Sequence, residues 1–396
     1  MNPTLAKIII GQICLHACMA GTRLAAPLLA LRNGHSELAV GFLLALFAIA
    51  SVFLALPAGR FIDRHSFQRP VVLSVLVSSF GAGAAAVSTV IFTAFWPQFA
   101  VLCFAALCTG GATGVVVIAL QRYVGRVAES PLALKKAFGW LSVGPAMSNF
   151  IGPLAAGLLI DHSGFQAAFI LMAILPLLCW YWVRDTPALP VSEVVVTAKT
   201  SSAWVLLKNP AMRRLLIVNW FLSTCWDVHT FVVPVLGHNR DYSASTIGTI
   251  LGAFAIAAAA VRILIPFIAK HLQEWAVITG AMLMTAVLYG LYPLMPSAWT
   301  MGICSVCLGL SLGSVQPMVM STLHHITPEH QQGEALGLRL MTINASSVAM
   351  PLLFGTLSAV VGVSAIFWGI AVVVGLGARV AMGLQESTSK EPHDPA

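Results

Sequence analysis

The sequence predicts an all-α membrane protein whose twelve transmembrane helices form two pseudo-symmetric six-helix bundles. The first observation is composition: 58% of the 396 residues are apolar and only 9% are charged, against about 25% charged in soluble domains. The second is that the apolar residues stand in runs that reach the length of about 20 residues needed to span a bilayer. The third is that parts of the first half recur in the second half at constant offsets. Within these runs apolar and polar residues do not alternate, as they do in the strands of a transmembrane β-barrel.

Hydropathy divides the chain into twelve spans, which we number in chain order. The longest polar interval follows span 6 and contains several Pro, Ser and Thr residues, as a linker would. It predicts an N-terminal bundle at 1–183, a cytoplasmic linker at 184–210, and a C-terminal bundle with a short polar tail at 211–396. The predicted spans are 7–31, 37–58, 70–94, 98–121, 136–160, 164–183, 211–236, 244–268, 275–294, 298–323, 333–358 and 362–384.

The distribution of Lys and Arg predicts the orientation, because cytoplasmic loops carry an excess of these residues. With the N-terminus placed in the cytoplasm, sixteen of the 21 Lys and Arg residues fall in cytoplasmic segments and two fall outside. The remaining three, Arg23, Arg262 and Arg339, fall within predicted spans. Both termini are therefore expected in the cytoplasm. The same asymmetry accounts for the net charge of +7 without a nucleic-acid partner.

The internal repeat predicts two parallel six-helix units with a site between them. One set of matches is displaced by 207 positions and the other by 198 positions. In the first set Pro27, Gly41 and Phe47 recur as Pro234, Gly248 and Phe254. In the second set Gly139, Pro153 and Gly157 recur as Gly337, Pro351 and Gly355.

A glycine-led basic motif lies between spans 2 and 3, where Gly59 is followed by Asp63, Arg64 and Arg69. This motif resembles the signature of the major facilitator superfamily. The resemblance covers the whole chain, because span number, linker and repeat agree with it. It implies a cytoplasmic gate in which Asp63 contacts the start of span 11. The alternative is a solvated topology signal without a gating role.

Span 5 carries a second motif that is rich in Gly and Pro. Physically, small residues four apart allow close helix packing and Pro bends a helix. The segment looks like the antiporter motif of the same family, which implies export by antiport. Ordinary helix packing is the alternative, since Pro351 and Gly355 repeat the pattern in span 11. The motif residues are Gly144, Pro145, Gly152, Pro153 and Gly157.

Asp227 is the acidic residue predicted deepest in any span. With Asn219 and Ser223 it forms one polar stripe at i, i+4 and i+8 on span 7. Charges at membrane depth are functional candidates by default, and low dielectric favours the protonated form of a carboxyl group. Asp227 is therefore our candidate for coupling proton movement to substrate movement. The alternative is a structural ion pair with an arginine.

Span 1 carries Gln12, His16 and Arg23 on one helix face. Span 11 carries Arg339, Thr342 and Ser346 on a similar face. An arginine keeps its charge, so Arg23 either pairs with Asp227 or receives an anionic substrate. Multidrug antiporters of this family that take lipophilic cations usually place an acid in span 1, and none stands there. The resemblance therefore implies an anionic or zwitterionic substrate. Further substrate-binding candidates are Thr109, Thr113, Trp226, His229 and Gln316.

The segment His324–His330 raises a metal-enzyme hypothesis as a minor alternative. Its spacing does not fit the zinc pattern H-x-x-E-H, and Pro328 breaks a single helix. The sequence has no P-loop. We therefore expect no enzyme, no metal and no cofactor.

The expected function is proton-coupled secondary transport in the inner or plasma membrane. The substrate is expected to be a small amphipathic or anionic organic compound, exported by antiport through alternating access. An importer or uniporter of a small metabolite is the alternative. The expected partners are this substrate, protons and the lipid bilayer, and the resemblance implies a monomer.

Overall fold

The computed structural model describes residues 3–65, 67–91, 95–127, 141, 143–186, 203–268, 272–327 and 332–385. Within these residues the chain is helical and contains no strand. Eleven of the described helices are long and apolar enough to cross a membrane. This confirms the predicted all-α membrane fold.

The helix Val143–Val183 contains both span 5 and span 6, which reconciles eleven helices with twelve predicted spans. Its helical geometry breaks at Gly164, where φ is +83°. That conformation is open to glycine at little cost, so the turn between the two spans falls there. The other spans are the helices Pro3–Arg32, Glu37–His65, Gln68–Ile91, Phe95–Val127, Pro210–Asn239, Ala244–Ile268, Glu274–Leu291, Ala298–Ile326, Gln332–Val361 and Val363–Met382.

Two helices run well past their predicted ends. Span 2 continues to His65 instead of 58, and span 4 continues to Val127 instead of 121. Hydropathy detects only the apolar part of a helix, whereas the backbone hydrogen bonds continue into polar sequence. The predicted limits of span 8, 244–268, agree with the structure.

The chain divides into two compact units. Unit 1 comprises 1–194 and 231–255, and unit 2 comprises 195–230 and 256–396. The packing thus groups the end of span 7 and the start of span 8 with the N-terminal helices. The division into bundles at a linker at 184–210 stays a prediction. A short 3-10 helix, Ala203–Lys208, occupies the end of that interval.

In unit 1, span 1 packs mainly against the helix Val143–Val183, and span 4 packs against spans 2 and 3. A core cluster includes Leu15, Val71 and Tyr123, each at most 5% exposed. In unit 2, span 9 packs against spans 10 and 12, where the ring of Tyr292 stacks on Phe367 at 4.8 Å.

Large apolar side chains also remain exposed, as in Trp299 and Val360, each 83% exposed. Exposed apolar surface of this kind is expected of helices that face lipid hydrocarbon.

Candidate functional site

Asp227 lies near the middle of span 7 and is only 3% exposed. Ser346 Oγ donates a hydrogen bond to one carboxylate oxygen at 2.8 Å, and Ser347 Oγ donates to the other at 3.3 Å. Both serines belong to span 11, and Ser346 is fully buried. The hydroxyl of Thr224 lies 3.3 Å from that of Ser346. Spans 7 and 11 thus form a buried polar cluster within unit 2.

The polar stripe on span 7 extends from Asp227 toward the start of the helix. Asn219 is 4% exposed, and in the described part of the chain its amide nitrogen makes no hydrogen bond. Ser223, one turn nearer to Asp227, is half-buried. Because the three residues are four apart, helical geometry places them on one side of span 7.

His229 belongs to a different network, although it follows Asp227 by only two positions. Two positions rotate the side chain by about 200° around a helix. The ring nitrogen Nε2 lies 2.9 Å from Ser305 Oγ, which in turn lies 2.8 Å from the hydroxyl of Tyr292. His229 is fully buried. His229 is therefore linked to Ser305 of span 10 and, through it, to Tyr292. The role of His229 as a substrate ligand stays a prediction.

Two arginines of unit 2 lie on the helices that flank Asp227. The guanidinium of Arg262 in span 8 lies over the ring of Trp226, with the carbon Cζ 5.6 Å from the ring centroid. Arg262 Nε donates to the carbonyl oxygen of Gly313 at 3.4 Å. Arg339 in span 11 is 7% exposed. The Nε atom of Arg339 has no hydrogen-bond partner among the described residues.

The span 1 candidates lie in unit 1 beside the span 5 motif. Gln12 is 3% exposed, and a Cβ at Gly144 would meet its Oε1 at 2.7 Å. His16 and Arg23 are half-buried. The predicted pair of Arg23 and Asp227 would join residues of the two units and stays a prediction.

Three of the predicted hydroxyl ligands donate within their own helices. Thr109 donates to the carbonyl of Ala105, and Thr113 donates to that of Thr109, each at 2.8 Å. Thr342 donates to Leu338 at 2.8 Å. Gln316 is exposed. In this arrangement the threonines present their oxygen lone pairs, not a free O–H, to a ligand.

The span 5 motif forms close backbone contacts inside unit 1. A Cβ at Gly152 would lie 2.6 Å from the carbonyl oxygen of Ala17 in span 1. Gly157 contacts the carbonyl of Ala244, and Gly248 contacts that of Pro153, both without room for a Cβ. Small residues thus bring span 5 against the start of span 8. The other motif residues, Gly144 and Pro145, are buried and half-buried.

Asp161 reinforces the contact between span 5 and span 8. One carboxylate oxygen accepts from the backbone N–H of Ala244 at 3.0 Å, and the other accepts from that of Ser245 at 2.7 Å. An acid at a helix N-terminus satisfies free N–H groups and favours the helix dipole. Sequence reasoning missed Asp161, and its only signal was an acid at the end of the motif-bearing span.

The predicted cytoplasmic gate falls mostly outside the described side chains. This holds for Gly59, Asp63 and Arg64, whereas Arg69 is described and exposed. Nearby, the ring of Phe67 lies 4.8 Å from that of Tyr123. The gate therefore stays a prediction.

The segment predicted as a minor metal site is described only in part, since 328–330 and the side chain of His324 lie outside the described residues. His325 Nε2 lies 3.9 Å from Glu274, which also accepts from Ser321 at 2.7 Å. Among the described residues, no group of three or more metal-ligating side chains could hold an ion.

A second polar region of unit 1 surrounds a cavity of about 600 Å³ at the turns after spans 1, 3 and 5. Its lining includes Asn33 and Gln98, whose amides are hydrogen bonded at 2.5 Å. His35 stacks on Phe95 at 3.6 Å beside it. Burial lowers the pKa of His35, which favours the neutral ring.

Eleven apolar helices in the described part of the chain, with a carboxylate and an arginine buried within them, are typical of a polytopic membrane transporter. The family model of the Major Facilitator Superfamily matches this chain over residues 8–323 and again over 215–395. The chain belongs to this family, which moves small-molecule substrates, and it is a transporter and not an enzyme.

Two curated relatives are drug-resistance proteins. The chain is 25% identical to the tetracycline resistance protein, class B, of Escherichia coli over 331 residues, which are 80% of this chain and 78% of that protein. It is 25% identical to the multidrug resistance protein MdtG of Escherichia fergusonii over 254 residues, or 60% of each chain. The match thus spans about three fifths of the length of MdtG.

Solved structures share the fold at low sequence identity. The D-xylose–proton symporter superposes with a TM-score of 0.77 at 11% identity, covering 95% of this chain and 96% of that one. A POT family transporter in complex with 5-aminolevulinic acid gives 0.76 at 13% identity, covering 98% and 96%. These likenesses establish the fold alone.

Proposed function

We propose that this protein is a proton-coupled antiporter that exports a small amphipathic organic compound, with or without an anionic group, by alternating access. It would act as a monomer in the inner membrane, with both termini in the cytoplasm. The observation that carries the proposal is the buried carboxyl group of Asp227, held between two serine hydroxyls of span 11.

The serine pair suits a carboxyl group that changes protonation state. A hydroxyl can donate to a carboxylate and can also accept from a protonated carboxyl group. Ser346 and Ser347 can therefore satisfy both forms of Asp227 by rotating their hydroxyl hydrogens. Because no backbone movement is required, the same packing tolerates binding and release of the proton.

Coupling follows from the cost of leaving this carboxylate uncompensated. An ionised group taken out of water is stable only when it is paired or hydrogen bonded. We therefore infer that the protein changes between its two access states only when Asp227 binds either a proton or the substrate. If the two compete for Asp227, they move in opposite directions, which is antiport.

The contact between span 5 and span 8 supports the antiport proposal from a second place in the fold. Glycine-mediated backbone contacts and the two hydrogen bonds of Asp161 hold these helices together in unit 1. In the predicted topology this contact lies at the outer end of both spans. We propose that it closes the outer side, as the likeness of the span 5 motif to the family's antiporter motif implies.

The two relatives support export because their names are those of resistance proteins. A transporter confers resistance when it lowers the internal concentration of a compound. Tetracycline is accordingly the first probe to apply to this chain.

The test is proton flux in proteoliposomes with an imposed pH gradient. Tetracycline, the cation rhodamine 6G and the anion 2-naphthoate are added in turn to the wild type and to Asp227→Asn. The matched control is Asp185→Asn, since Asp185 is an exposed acid after span 6. We expect at least one probe to dissipate the gradient in the wild type and the control, but not in Asp227→Asn.

Two results would contradict the proposal. If no probe moves protons while labelled probe still exchanges, the protein is a uniporter or an exchanger. If Asp227→Asn retains the proton flux of the wild type, the proton binds elsewhere.

A further inference from the structure

Arg262 and Arg339 lie at similar distances from the ends of their helices in unit 2. Arg262 precedes the last residue of span 8, Ile268, by six positions, and Arg339 follows the first residue of span 11, Gln332, by seven. At a rise of 1.5 Å per residue these are about 9 Å and about 10 Å. The predicted topology places both of these helix ends on the cytoplasmic side.

Arg262 is held in place by two contacts within the described part of the chain. Its Nε donates to Gly313, and its positive charge lies over the ring of Trp226. A Cβ at Gly313 would lie 2.6 Å from Cα of Ala258 in span 8, so the missing side chain brings the two helices together. The contacts fix where the charge sits without neutralising it.

Arg339 is buried, and no carboxylate among the described residues pairs with it. It is 7% exposed, its Nε lacks a partner among the described residues, and its charge acts on Arg262. In the described part of the chain, neither arginine forms an ion pair with a carboxylate. Two like charges at membrane depth are unfavourable without an anion between them.

An anion alone does not fit antiport at Asp227. A negative ligand near a carboxylate favours protonation of that carboxylate, so anion and proton would bind together and travel in the same direction. A cation alone would compete with the proton but would leave the arginine charges unbalanced. A ligand with one positive and one negative group meets both conditions.

The spacing along span 11 sets the size of such a ligand. Ser346, which binds Asp227, follows Arg339 by seven positions, which is about two helical turns. The two positions therefore share one helix face and lie about 10 Å apart along the axis.

Resting on the proposed antiport function, we propose that the substrate is a zwitterion whose anionic group binds Arg262 and Arg339 and whose cationic group replaces the proton at Asp227. A carboxylate or sulfonate suits the guanidinium groups, which recognise planar oxyanions with paired N–H donors. The substrate's charges are separated by about 10 Å. Its apolar body lies along Trp226.

The test is calorimetric binding to the purified full chain with ligands on one rigid scaffold. The zwitterion is 4′-(aminomethyl)biphenyl-4-carboxylic acid, whose two groups lie at opposite ends of the scaffold. Replacing the aminomethyl group by methyl gives the matched anion, and replacing the carboxylate by methyl gives the matched cation. We expect the zwitterion to bind at least about tenfold more tightly than either, because each end adds a charge-assisted hydrogen bond.

Substitutions assign the ends of the ligand. Arg262→Gln and Arg339→Gln should each lower the affinity for the zwitterion about tenfold, the loss expected for a hydrogen bond to a charged group. Both should leave cation binding unchanged, which also shows that the variants are folded. The control Arg379→Gln removes an exposed arginine at the end of span 12 and should change neither affinity.

The proposal is overturned if the anion binds as tightly as the zwitterion, or if both arginine variants keep the affinity of the wild type. Binding in detergent does not depend on proton flux. Arginine-dependent zwitterion binding without flux would therefore contradict the antiport function alone, and flux without arginine-dependent binding would contradict only this substrate class.

Discussion

At the scale of single residues, the two serines that bind Asp227 distinguish its carboxyl group from a merely buried one. They come from consecutive positions of one neighbouring helix and reach different carboxylate oxygens. A hydrogen bond to a charged group contributes about 1.5–3 kcal/mol, more than a bond between neutral groups. The function proposed for Asp227 therefore depends on span 11 as much as on span 7.

Ser346→Ala tests this dependence. The substitution removes the shorter of the two hydrogen bonds and leaves one carboxylate oxygen without that donor. We expect substrate-driven proton flux in proteoliposomes to fall at least about tenfold, which corresponds to a loss of about 1.4 kcal/mol.

Ser358→Ala is the matched control, because Ser358 is a buried serine of the same span that donates to its own helix at Gly355. It should transport as the wild type does. Equal losses in the two variants would show that the effect comes from disturbing span 11 and not from Asp227.

Residue patterns predicted part of this site. The spacing of Asn219, Ser223 and Asp227 predicted one stripe, and helical periodicity suffices for residues on the same helix. Ser347 and Asp161 could not be predicted in this way, since their partners lie on other helices and depend on how the helices pack. The threonines of span 4, which donate to carbonyl oxygens of their own helix, show a further limit of sequence-based prediction. A hydroxyl at membrane depth need not bind a ligand, because it can donate within its own helix.

At the scale of helices, small residues decide which spans approach closely. Gly157 and Gly248 place the backbones of spans 5 and 8 in direct contact within unit 1. Hydropathy predicts that both helices exist, but it carries no information about which pairs touch. The glycine-proline motif predicted close packing of span 5 but not its partner, and only the structure shows that this partner is span 8.

Gly157→Ala tests the importance of the contact. The added Cβ would collide with the carbonyl of Ala244, so either span 5 or span 8 must move. We expect a lower Tm of the purified protein and a clear loss of transport.

Gly280→Ala in span 9 is the control for the glycine substitution itself, because nothing lies within 4 Å of a Cβ at that position. Alanine is favoured over glycine inside a helix by about 1 kcal/mol, so the control should keep or raise the Tm. Unchanged transport in Gly157→Ala would show that the contact has no functional role.

At the scale of the whole molecule, the sequence repeat predicted two related helical units. Its matched prolines, Pro27 and Pro234, both lie inside helices at equivalent places in spans 1 and 7. One boundary between the compact units falls inside the predicted linker, after residue 194, and residues 231–255 are grouped with the first unit. A repeat records ancestry along the chain, whereas packing depends on which surfaces meet in space.

Competition between proton and substrate for Asp227 can be measured directly as the protons exchanged when substrate binds to the purified protein in weakly buffered detergent solution. The substrate is the probe that dissipates the gradient in proteoliposomes. We expect the wild type to release protons on binding and Asp227→Asn to release none. Proton uptake by the wild type would instead indicate movement in the same direction, as in an importer, and equal release by Asp227→Asn would place the proton on another group.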